Sequence, residues 1–300
     1  MCGIAGILGT DLALAQPAAE RMQRALRHRG PDDEGLAIVE GRGGKAPAVL
    51  VHTRLSIVDL SPAGHQPMKD EPTRPGDAPN VITYNGEIYN FRSLQPELAR
   101  AGWPCRTRSD SEVLLHAYRV WGVRAVERFE GMFAFCLLDP TRGLAWLCRD
   151  RVGIKPLYFY RPAQGGLVFA SEVRALLAAG SELVVPRLGR GALESFLAQG
   201  AVMSDASILD GARLLAPGES MLLDFDGNPA GTTRYWSVAF GSRLGEEVLP
   251  ADGSAADIRA PLPSSERTRP AAVHALSEAL HRSLERLLLA DVPVGLFLSG

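Results

Sequence analysis

The chain lacks the features that are typical of membrane-inserted, secreted and nucleic-acid-binding proteins. No apolar run is long enough to span a bilayer, and no basic segment precedes an apolar one at the N-terminus, so we expect no signal peptide. The 32 basic and 34 acidic residues leave a net charge of −2 without a block of either sign. Electrostatics therefore gives no support for a nucleic-acid or membrane partner, and we expect a cytoplasmic protein.

Cysteine is scarce, and its spacing excludes the usual metal-binding patterns. The four cysteines are Cys2, Cys105, Cys136 and Cys148, with no C-x-x-C pair and no neighbouring histidine pair. We therefore expect no metal site and a reduced, cytosolic chain. Cys136 and Cys148 lie in apolar runs and are expected to be core thiols. Internal repeats are also missing, and 300 residues suffice for one large domain or two.

Apolar periodicity and turn residues predict an alternation of strands and helices. Strands are expected over residues 2–8, 35–40, 47–52, 80–84, 132–139, 143–149, 157–160, 166–170, 219–225 and 234–238. Helices are expected over residues 17–27, 90–101, 111–121, 171–179, 191–198 and 271–290.

The connections between these elements give three further predictions. The four strands between residues 132 and 170 are expected to form one β-meander. Residues 241–270 are rich in Gly, Pro, Ser and charge, which indicates a loop or linker. The apolar segment 291–298 follows a helix and is expected to be a buried strand that begins an α/β sheet.

A cysteine directly follows the initiator methionine. If Met1 is removed, Cys2 carries a thiol with a pKa of about 8.5 and a free α-amine with a pKa of about 7.7–8.0. Such a residue holds a nucleophile together with its own base, which is an established route to covalent catalysis. If Met1 is retained, that base is lost, and we expect activity to be lost with it. The alternative is that position 2 is unconstrained and its cysteine is accidental.

An Asn-Gly pair follows the strand expected at residues 80–84. A turn is the common structural explanation for such a pair. In a catalytic site, the Asn85 amide and the Gly86 N–H could instead form an oxyanion hole. Removing one donor of such a pair costs about 2.7–4 kcal/mol of transition-state stabilisation.

Two charged positions each allow a structural and a functional interpretation. Arg54 at a strand end is either a solvated charge or a fork that binds a substrate carboxylate. Asp110, in Ser-Asp-Ser-Glu, either caps a helix together with Ser109 or accepts from a substrate ammonium group. Together with Cys2 and the Asn-Gly pair, the functional set suits an α-amino acid whose side chain is an amide, namely glutamine or asparagine.

Seven motifs in order resemble those of the glutamine-hydrolysing asparagine synthetases. They are MCGIAG at 1–6, RHRGPD at 27–32, RLSI at 54–57, YNGEIYN at 84–90, SDSE at 109–112, FEGMFAF at 129–135 and RDRVGIKPLY at 149–158. The resemblance covers residues 2–240 and continues over 271–300. It implies an α+β, four-layer αββα N-terminal-nucleophile hydrolase fold, followed by the start of an α/β ATP-pyrophosphatase domain.

The same resemblance implies a division of the chain. A class II glutaminase domain is expected over 2–190, a connecting segment over 191–240, a loop or linker over 241–270, and the start of a synthetase domain over 271–300. Cys2 would be the nucleophile, and Asn85 with Gly86 would stabilise the oxyanion.

For glutamine binding, the resemblance implies that Arg54 holds the carboxylate and that Glu87 and Asp110 hold the amine. The backbone at Leu55 and Ile57 would line the site, and the loop at 27–32 would close over it.

The resemblance also implies what lies beyond the glutaminase step. That step would need no cofactor and no metal, whereas the full-length synthetase would use ATP, Mg²⁺ and aspartate. Leu298, Ser299 and Gly300 match the beginning of the family's ATP-binding loop, with Leu298 expected to contact adenine. The alternatives are a relative that amidates another carboxylate and a non-catalytic homologue. The resemblance also allows a homodimer.

Overall fold

The structure is a computed structural model that describes residues 1–41, 47–72, 76–203, 205–238 and 269–295. Its strands are β1 (Gly3–Leu8), β2 (Asp33–Val39), β3 (Ala48–Arg54), β4 (Met68–Lys69), β5 (Val81–Ile88), β6 (Gly131–Asp139), β7 (Leu144–Arg149), β8 (Tyr158–Tyr160), β9 (Leu167–Ala170), β10 (Ala212–Leu214), β11 (Glu219–Asp224) and β12 (Pro229–Arg234). Its helices are α1 (Leu12–Leu26), α2 (Phe91–Arg100), α3 (Asp110–Trp121), α4 (Val173–Ala178), α5 (Arg190–Gln199) and α6 (Arg269–Leu287).

The strands form two six-stranded sheets with antiparallel pairing. The first sheet has the order β10-β8-β9-β1-β3-β2 and the second has the order β12-β11-β7-β6-β5-β4. In the first sheet, Gly3 lies opposite Thr53, which brings the start of β1 beside the end of β3. In the second sheet, Asn85 lies opposite Ala134. The first register places Cys2 next to the end of β3, and the second places the Asn-Gly pair within paired strands.

The alternation of side chains along β1 shows how a sheet can be buried on both faces. Ile4 and Leu8 belong to the apolar core that is built from both sheets, whereas Ala5 and Ile7 belong to the core that includes α1 and α4. Successive strand residues point to opposite faces, so a strand that is apolar throughout requires a layer on each side.

A helical layer also covers the second sheet. The Tyr118 ring of α3 lies 5.7 Å from Trp146 of β7, and Trp146 meets Phe135 of β6 edge-on at 4.8 Å. Offset and edge-to-face contacts of this kind are favourable geometries for aromatic rings. The predicted four-layer αββα arrangement is confirmed.

Helix α1 begins five residues earlier than the sequence predicts. The Asp11 carboxylate accepts from the Ala13 N–H at 2.8 Å and caps the helix ahead of Leu12. Pro17 was expected at the helix start and instead lies within the helix. The prediction was wrong because the N-terminal cap was stronger evidence for a boundary than the proline.

Strand β5 is longer than expected and includes the Asn-Gly pair. It continues to Ile88, and Gly86 lies opposite Phe133 of β6. The interpretation of Asn85-Gly86 as a turn is therefore wrong. Pairing with a nine-residue neighbouring strand outweighs the local turn preference of the dipeptide.

The expected meander between residues 132 and 170 is divided between the two sheets. Strands β6 and β7 pair in the second sheet, and β8 and β9 pair in the first. The crossing begins at Asp150, whose carboxylate accepts from the N–H groups of Val152, Ile154 and Lys155. A loop held this way redirects the chain before β8.

The C-terminal predictions have mixed outcomes. Strand β12 ends at Arg234, where a strand was expected to begin, and the two- and three-residue strands β4 and β10 are too short to give a periodic signal. The helix expected at 271–290 is confirmed as α6. The loop expected at 241–270 lies almost entirely outside the described residues, and so do Leu298, Ser299 and Gly300.

The chain divides into two compact units, and the strand expected at 291–298 lies within the described residues only as far as residue 295. The first unit contains Met1–Trp236 and Ala290–Pro293, and α6 lies in the second. Residues 291–295 form no strand. Within the first unit, the Asp291 N–H instead donates to the Ile57 carbonyl at 2.8 Å, and its carboxylate accepts from the Asp59 N–H at 2.9 Å. A strand requires a hydrogen-bonded neighbour, and these contacts take its place.

None of the helices within the described ranges has the combination of length and apolar character that a bilayer-spanning segment requires.

Replacing Phe169 tests the core between the sheets. Phe169 is fully buried in β9, and Phe169→Ala is expected to lower the free energy of unfolding by about 3–5 kcal/mol because it leaves a cavity. Phe196 in α5 is 49% exposed and provides the matched control, with an expected change within about 0.5 kcal/mol for Phe196→Ala. Denaturant unfolding measures both values. Equal losses for the two variants would contradict this placement of the core.

Candidate functional site

A cavity of about 170 Å³ opens where β1, β3 and β5 meet the start of α3. All eight residues that the sequence suggested for the glutaminase step line it. They are Cys2, Arg54, Leu55, Ile57, Asn85, Gly86, Glu87 and Asp110. Other lining residues include Met1, Tyr84, Gln66, Gly64 and Lys155. Segments that are far apart in the sequence therefore contribute side chains to one cavity.

Cys2 lies just ahead of β1, where the pairing of β1 with β3 holds it beside Leu55. The Leu55 N–H donates to the Cys2 sulfur at 3.4 Å, and the thiol lies 3.6 Å from the Leu55 carbonyl oxygen. Burial raises the pKa of the Cys2 thiol, which the Leu55 N–H and the nearby N-terminal amine oppose. The resting group is a protonated thiol that needs a base before it can act as a nucleophile.

The N-terminal residue lies at the same cavity. Met1 is 54% exposed and lines the cavity. Burial lowers the pKa of its α-amine, and the charges of Arg29 and Lys155 lower it further. An amine in this position is therefore more readily neutral, and a neutral amine can accept a proton.

Arg29 connects the 27–32 segment to the nucleophile. Its guanidinium donates to the Cys2 carbonyl at 2.9 Å and to the Glu172 carboxylate at 2.8 Å. The Asp32 carboxylate accepts from the Ser56 N–H at 2.7 Å. These bonds hold the 27–32 segment against Cys2 and Ser56, at the position where the sequence predicted a loop that closes over the site.

The ladder between β5 and β6 determines where the Gly86 amide points. Phe133 uses both of its main-chain groups on Asp150, because its carbonyl accepts from the Asp150 N–H at 2.8 Å and its N–H donates to the Asp150 carboxylate at 3.2 Å. Gly86 lies directly opposite Phe133. The two therefore form a non-hydrogen-bonded pair, and the main-chain groups of Gly86 point away from β6.

Its neighbours on β5 show what the Gly86 amide faces. Two residues earlier, the Tyr84 N–H donates to the Gln66 side chain at 2.7 Å, and two residues later the Ile88 N–H donates to the Asp110 carboxylate at 2.9 Å. Amides two apart in a strand point the same way. The Gly86 N–H therefore points to the cavity side, between Gln66 and Asp110.

A second donor lies beside it. Asn85 is 1% exposed, and its Nδ2 is a buried donor that bonds to none of the described residues. Glycine is required at position 86, since a side chain there would collide with the Met132 carbonyl and the Phe133 backbone. Both residues line the same cavity, so two neighbouring donors without a protein partner are available to a ligand there. Paired donors of this kind can stabilise an oxyanion.

Arg54 is buried rather than solvated at its strand end. It is 6% exposed, and its guanidinium donates to the carbonyls of Ser61 at 3.0 Å, Val58 at 3.5 Å and Asp59. Gly64 leaves the space that the guanidinium occupies. A guanidinium has five donors, so a ligand carboxylate can still be bound by the remaining two.

Asp110 and Glu87 form the acidic side of the cavity. The Asp110 carboxylate accepts from the Tyr84 hydroxyl at 2.6 Å and from the Ile88 N–H. The cap of α3 is Ser109, which accepts from the Ser111 N–H, so Asp110 is not used as a cap. Burial raises the pKa of Asp110, and burial together with Asp110 raises that of Glu87. Both carboxylates therefore favour a cationic ligand.

Sequence reasoning missed three residues that line the cavity. Tyr84 and Lys155 lie within motifs that were recognised, but neither was given a role. Gln66 joins the walls of the cavity, since its amide donates to the Ser111 hydroxyl at 3.1 Å and accepts from Tyr84. Lys155 had no usable local signal, because its apolar neighbour Ile154 is 55% exposed and lysine is mostly found at the surface.

A larger hollow of about 660 Å³ between α2 and residues 104–108 lacks this chemistry. Its thiol belongs to Cys105, whose pKa burial raises to about 12, so the thiolate is scarce near neutral pH. No group of three or more metal-ligating side chains occurs in the part of the chain that the structure describes.

Comparison with known families gives a match to the glutamine amidotransferase domain over residues 1–236. The chain is 31% identical over 312 residues to the putative asparagine synthetase [glutamine-hydrolyzing] 2 of Methanocaldococcus jannaschii, with all of this chain and 55% of the relative covered. It is 32% identical over 303 residues to asparagine synthetase [glutamine-hydrolyzing] 3 of Bacillus subtilis, with all of this chain and 43% of the relative covered. The chain thus spans about half the length of these relatives.

Among solved structures, the fold is similar to that of glutamine phosphoribosylpyrophosphate amidotransferase from B. subtilis, complexed with ADP and GMP. The TM-score is 0.55 at 19% identity, covering 78% of this chain and 49% of that chain. At this identity the likeness concerns the fold alone.

Asp110→Asn tests whether the ionised Asp110 side chain lowers the free energy of unfolding. Because burial raises the pKa of Asp110 above its unfolded value of about 3.9, the ionised side chain destabilises the folded state at neutral pH. Asp110→Asn is expected to increase the free energy of unfolding at pH 7, and the gain should vanish as the pH falls to about 4. Denaturant unfolding across this pH range measures it. The exposed carboxylate of Asp210 supplies the control, Asp210→Asn, and a gain independent of pH would count against this origin.

Proposed function

Because the chain belongs to the family of glutamine amidotransferase domains, we propose that its cavity hydrolyses the side-chain amide of glutamine and releases ammonia. The observation that carries the proposal is the convergence of Cys2, Arg54, Asp110 and the two unused donors at Asn85 and Gly86 on one cavity. Each group alone has a structural explanation, but together they match glutamine at both ends.

The α-amino acid end of glutamine is bound by opposite charges. The free donors of Arg54 receive the α-carboxylate, and the Asp110 and Glu87 carboxylates receive the α-ammonium group. The main chain at Leu55 and Ile57 lines the space between. This binding directs the side-chain amide toward the Cys2 sulfur.

The reaction proceeds through a thioester. The α-amine of Cys2 takes the thiol proton, and the sulfur attacks the amide carbon to form a tetrahedral intermediate. The Asn85 amide and the Gly86 N–H stabilise its oxyanion. The protonated amine then gives its proton to the departing nitrogen, the C–N bond breaks and ammonia leaves. Water adds to the glutamyl thioester, which releases glutamate and regenerates the thiol.

Removal of Met1 has two consequences for this site. It turns the Cys2 nitrogen from an amide into a basic amine, and it clears a side chain that lines the cavity. The amide nitrogen of a retained Met1–Cys2 bond has no basicity near neutral pH. Processing of the N-terminus is therefore part of the proposed mechanism.

The proposal for the whole protein extends beyond this chain. Relatives about twice as long are named asparagine synthetases. We therefore propose that the complete protein passes the ammonia to an aspartate activated by ATP in a cytoplasmic reaction that requires Mg²⁺. Leu298, Ser299 and Gly300 would contribute to ATP binding. A relative that amidates another carboxylate would share everything proposed for the glutaminase half.

The test is ammonia release from glutamine by protein shown by mass to begin at Cys2. Cys2→Ala is expected to lower kcat at least about 10³-fold because no other described residue that lines the cavity carries a thiol. Cys105→Ala is the matched control and should retain full activity, since Cys105 lines the other hollow. The assignment would be refuted if both variants retained glutamine hydrolysis, or if both lost it. No ammonia from the processed wild-type protein would indicate a non-catalytic homologue.

Asn85→Ala separates catalysis from binding. Because its Nδ2 acts on the developing oxyanion, the variant is expected to lower kcat about 10²–10³-fold with a small change in KM. Arg54→Gln should do the opposite and raise KM first, since it weakens carboxylate binding. Steady-state kinetics with glutamine measures both. If Asn85→Ala changed KM but not kcat, Asn85 would have no role in stabilising the oxyanion.

A further inference from the structure

Lys155 supplies a positive charge to the cavity. The residue is 5% exposed and lines the cavity. Its ammonium group donates to none of the described residues and forms no close ion pair with any of them. The ammonium nitrogen is not fully buried, so it faces the open space of the cavity. Other contacts must therefore hold the residue in place.

These contacts are made by its main chain. The Lys155 N–H donates to the buried Asp150 carboxylate at 2.9 Å, and the Lys155 carbonyl accepts from the Arg149 guanidinium at 2.8 Å. The same guanidinium donates to Gly153 at 2.6 Å, and the same carboxylate accepts from Ile154 at 2.9 Å. Both ends of the 150–155 loop are thus fixed, and the side chain extends from a rigid support.

The charged groups around Lys155 come from several elements. Burial lowers the pKa of Lys155 and the Arg29 guanidinium lowers it further, whereas Glu87 of β5, Cys2 and Asp150 partly oppose this shift. The N-terminal amine is a further cation within reach of its charge. Burial raises the pKa of Cys2 and Asp110 raises it further, whereas the N-terminal amine and Arg54 lower it. Lys155 is thus a further cation that shares one cavity with the nucleophile and Glu87 and interacts with the charges of both.

A charge count with glutamine bound shows where this cation is needed. Arg54 pairs with the substrate carboxylate, and Asp110 pairs with the substrate ammonium group. Transfer of the thiol proton then creates a thiolate and an N-terminal ammonium group. Glu87 adds one more negative charge, and Lys155 is the one cavity cation among the described residues that binds neither substrate nor main-chain carbonyls. Without it, the cavity would carry a net negative charge beside the thiolate.

We propose that the Lys155 ammonium group is the counter-ion of the Cys2 thiolate. It acts through Cys2 as a positioning residue, and it keeps the negative charge on sulfur until that charge passes to the oxyanion. The inference rests on the proposed glutaminase function for its role in turnover, but its effect on the thiol exists without substrate. The competing role is purely structural, in which Lys155 only neutralises Glu87.

The experiment measures the pH profile of Cys2 alkylation in protein that begins at Cys2. Iodoacetamide is the probe, and peptide mass spectrometry separates Cys2 from Cys105. Lys155→Met is expected to raise the midpoint of the profile by about one pH unit or more, because an adjacent opposite charge lowers a thiol pKa by about that amount. The rate at pH 7 should then fall about tenfold. Lys155→Arg should restore the wild-type midpoint.

Lys69→Met is the control, because Lys69 is an exposed lysine outside the cavity, and it should leave the midpoint unchanged. If Lys155→Met does not fold, as judged by circular dichroism, Lys155→Gln carries the same test with a neutral polar side chain of similar length. A wild-type midpoint in the folded neutral variant overturns the proposal. A midpoint raised equally by Lys155→Arg also overturns it, since that result reports packing rather than charge.

Glutamine hydrolysis by the same proteins separates the two proposals. A shifted midpoint in a wild-type chain that releases no ammonia would refute the proposed function and leave the counter-ion in place. Ammonia release with an unshifted midpoint would refute the counter-ion alone. Where both hold, the ascending limb of kcat/KM against pH should move upward in Lys155→Met by the same amount as the alkylation midpoint.

Discussion

The buried carboxylate of Asp150 makes the hydrogen bonds on which the geometry of the cavity depends. It accepts from Phe133 on β6 and from three loop amides, those of Val152, Ile154 and Lys155. Hydrogen bonds to a charged group contribute about 1.5–3 kcal/mol each. The exchange with Phe133 turns the Gly86 amide away from β6, and the loop bonds redirect the chain and support Lys155. One side chain thus links the sheet, the crossing between sheets and two parts of the site.

Several groups that line the cavity lower the stability of the folded protein. Asp110 and Lys155 are buried charges, and the amide of Asn85 is a buried donor without a partner among the described residues. Each such group is unfavourable in the empty protein. In the proposed function, a zwitterionic amide substrate would supply the missing partners, because it would bring a cation for Asp110 and a carbonyl for Asn85. The same groups would then contribute both to substrate binding and to catalysis.

Residue types and the resemblance of seven motifs to a known family together named a set of residues that the structure brings to one cavity. All eight residues suggested for the glutaminase step line one cavity, and the αββα layers were predicted correctly. Local preferences were the weaker evidence. Asn85-Gly86 has the composition of a turn and lies in a strand, and Pro17 marked a helix start that Asp11 caps five residues earlier. In both places a tertiary or capping hydrogen bond outweighed the intrinsic preference of the chain.

By itself, the sequence determined the chemistry of this protein: a thiol at position 2, donors at Asn85 and Gly86, and charges suited to an amino acid. It did so because reactive groups are properties of residue types. Only the tertiary structure decided which of those groups are free to act. The direction of the Gly86 amide follows from the β5–β6 register, and the isolation of the Lys155 charge follows from the loop at Asp150. Hydrogen bonds between distant segments control both, and no local pattern encodes them.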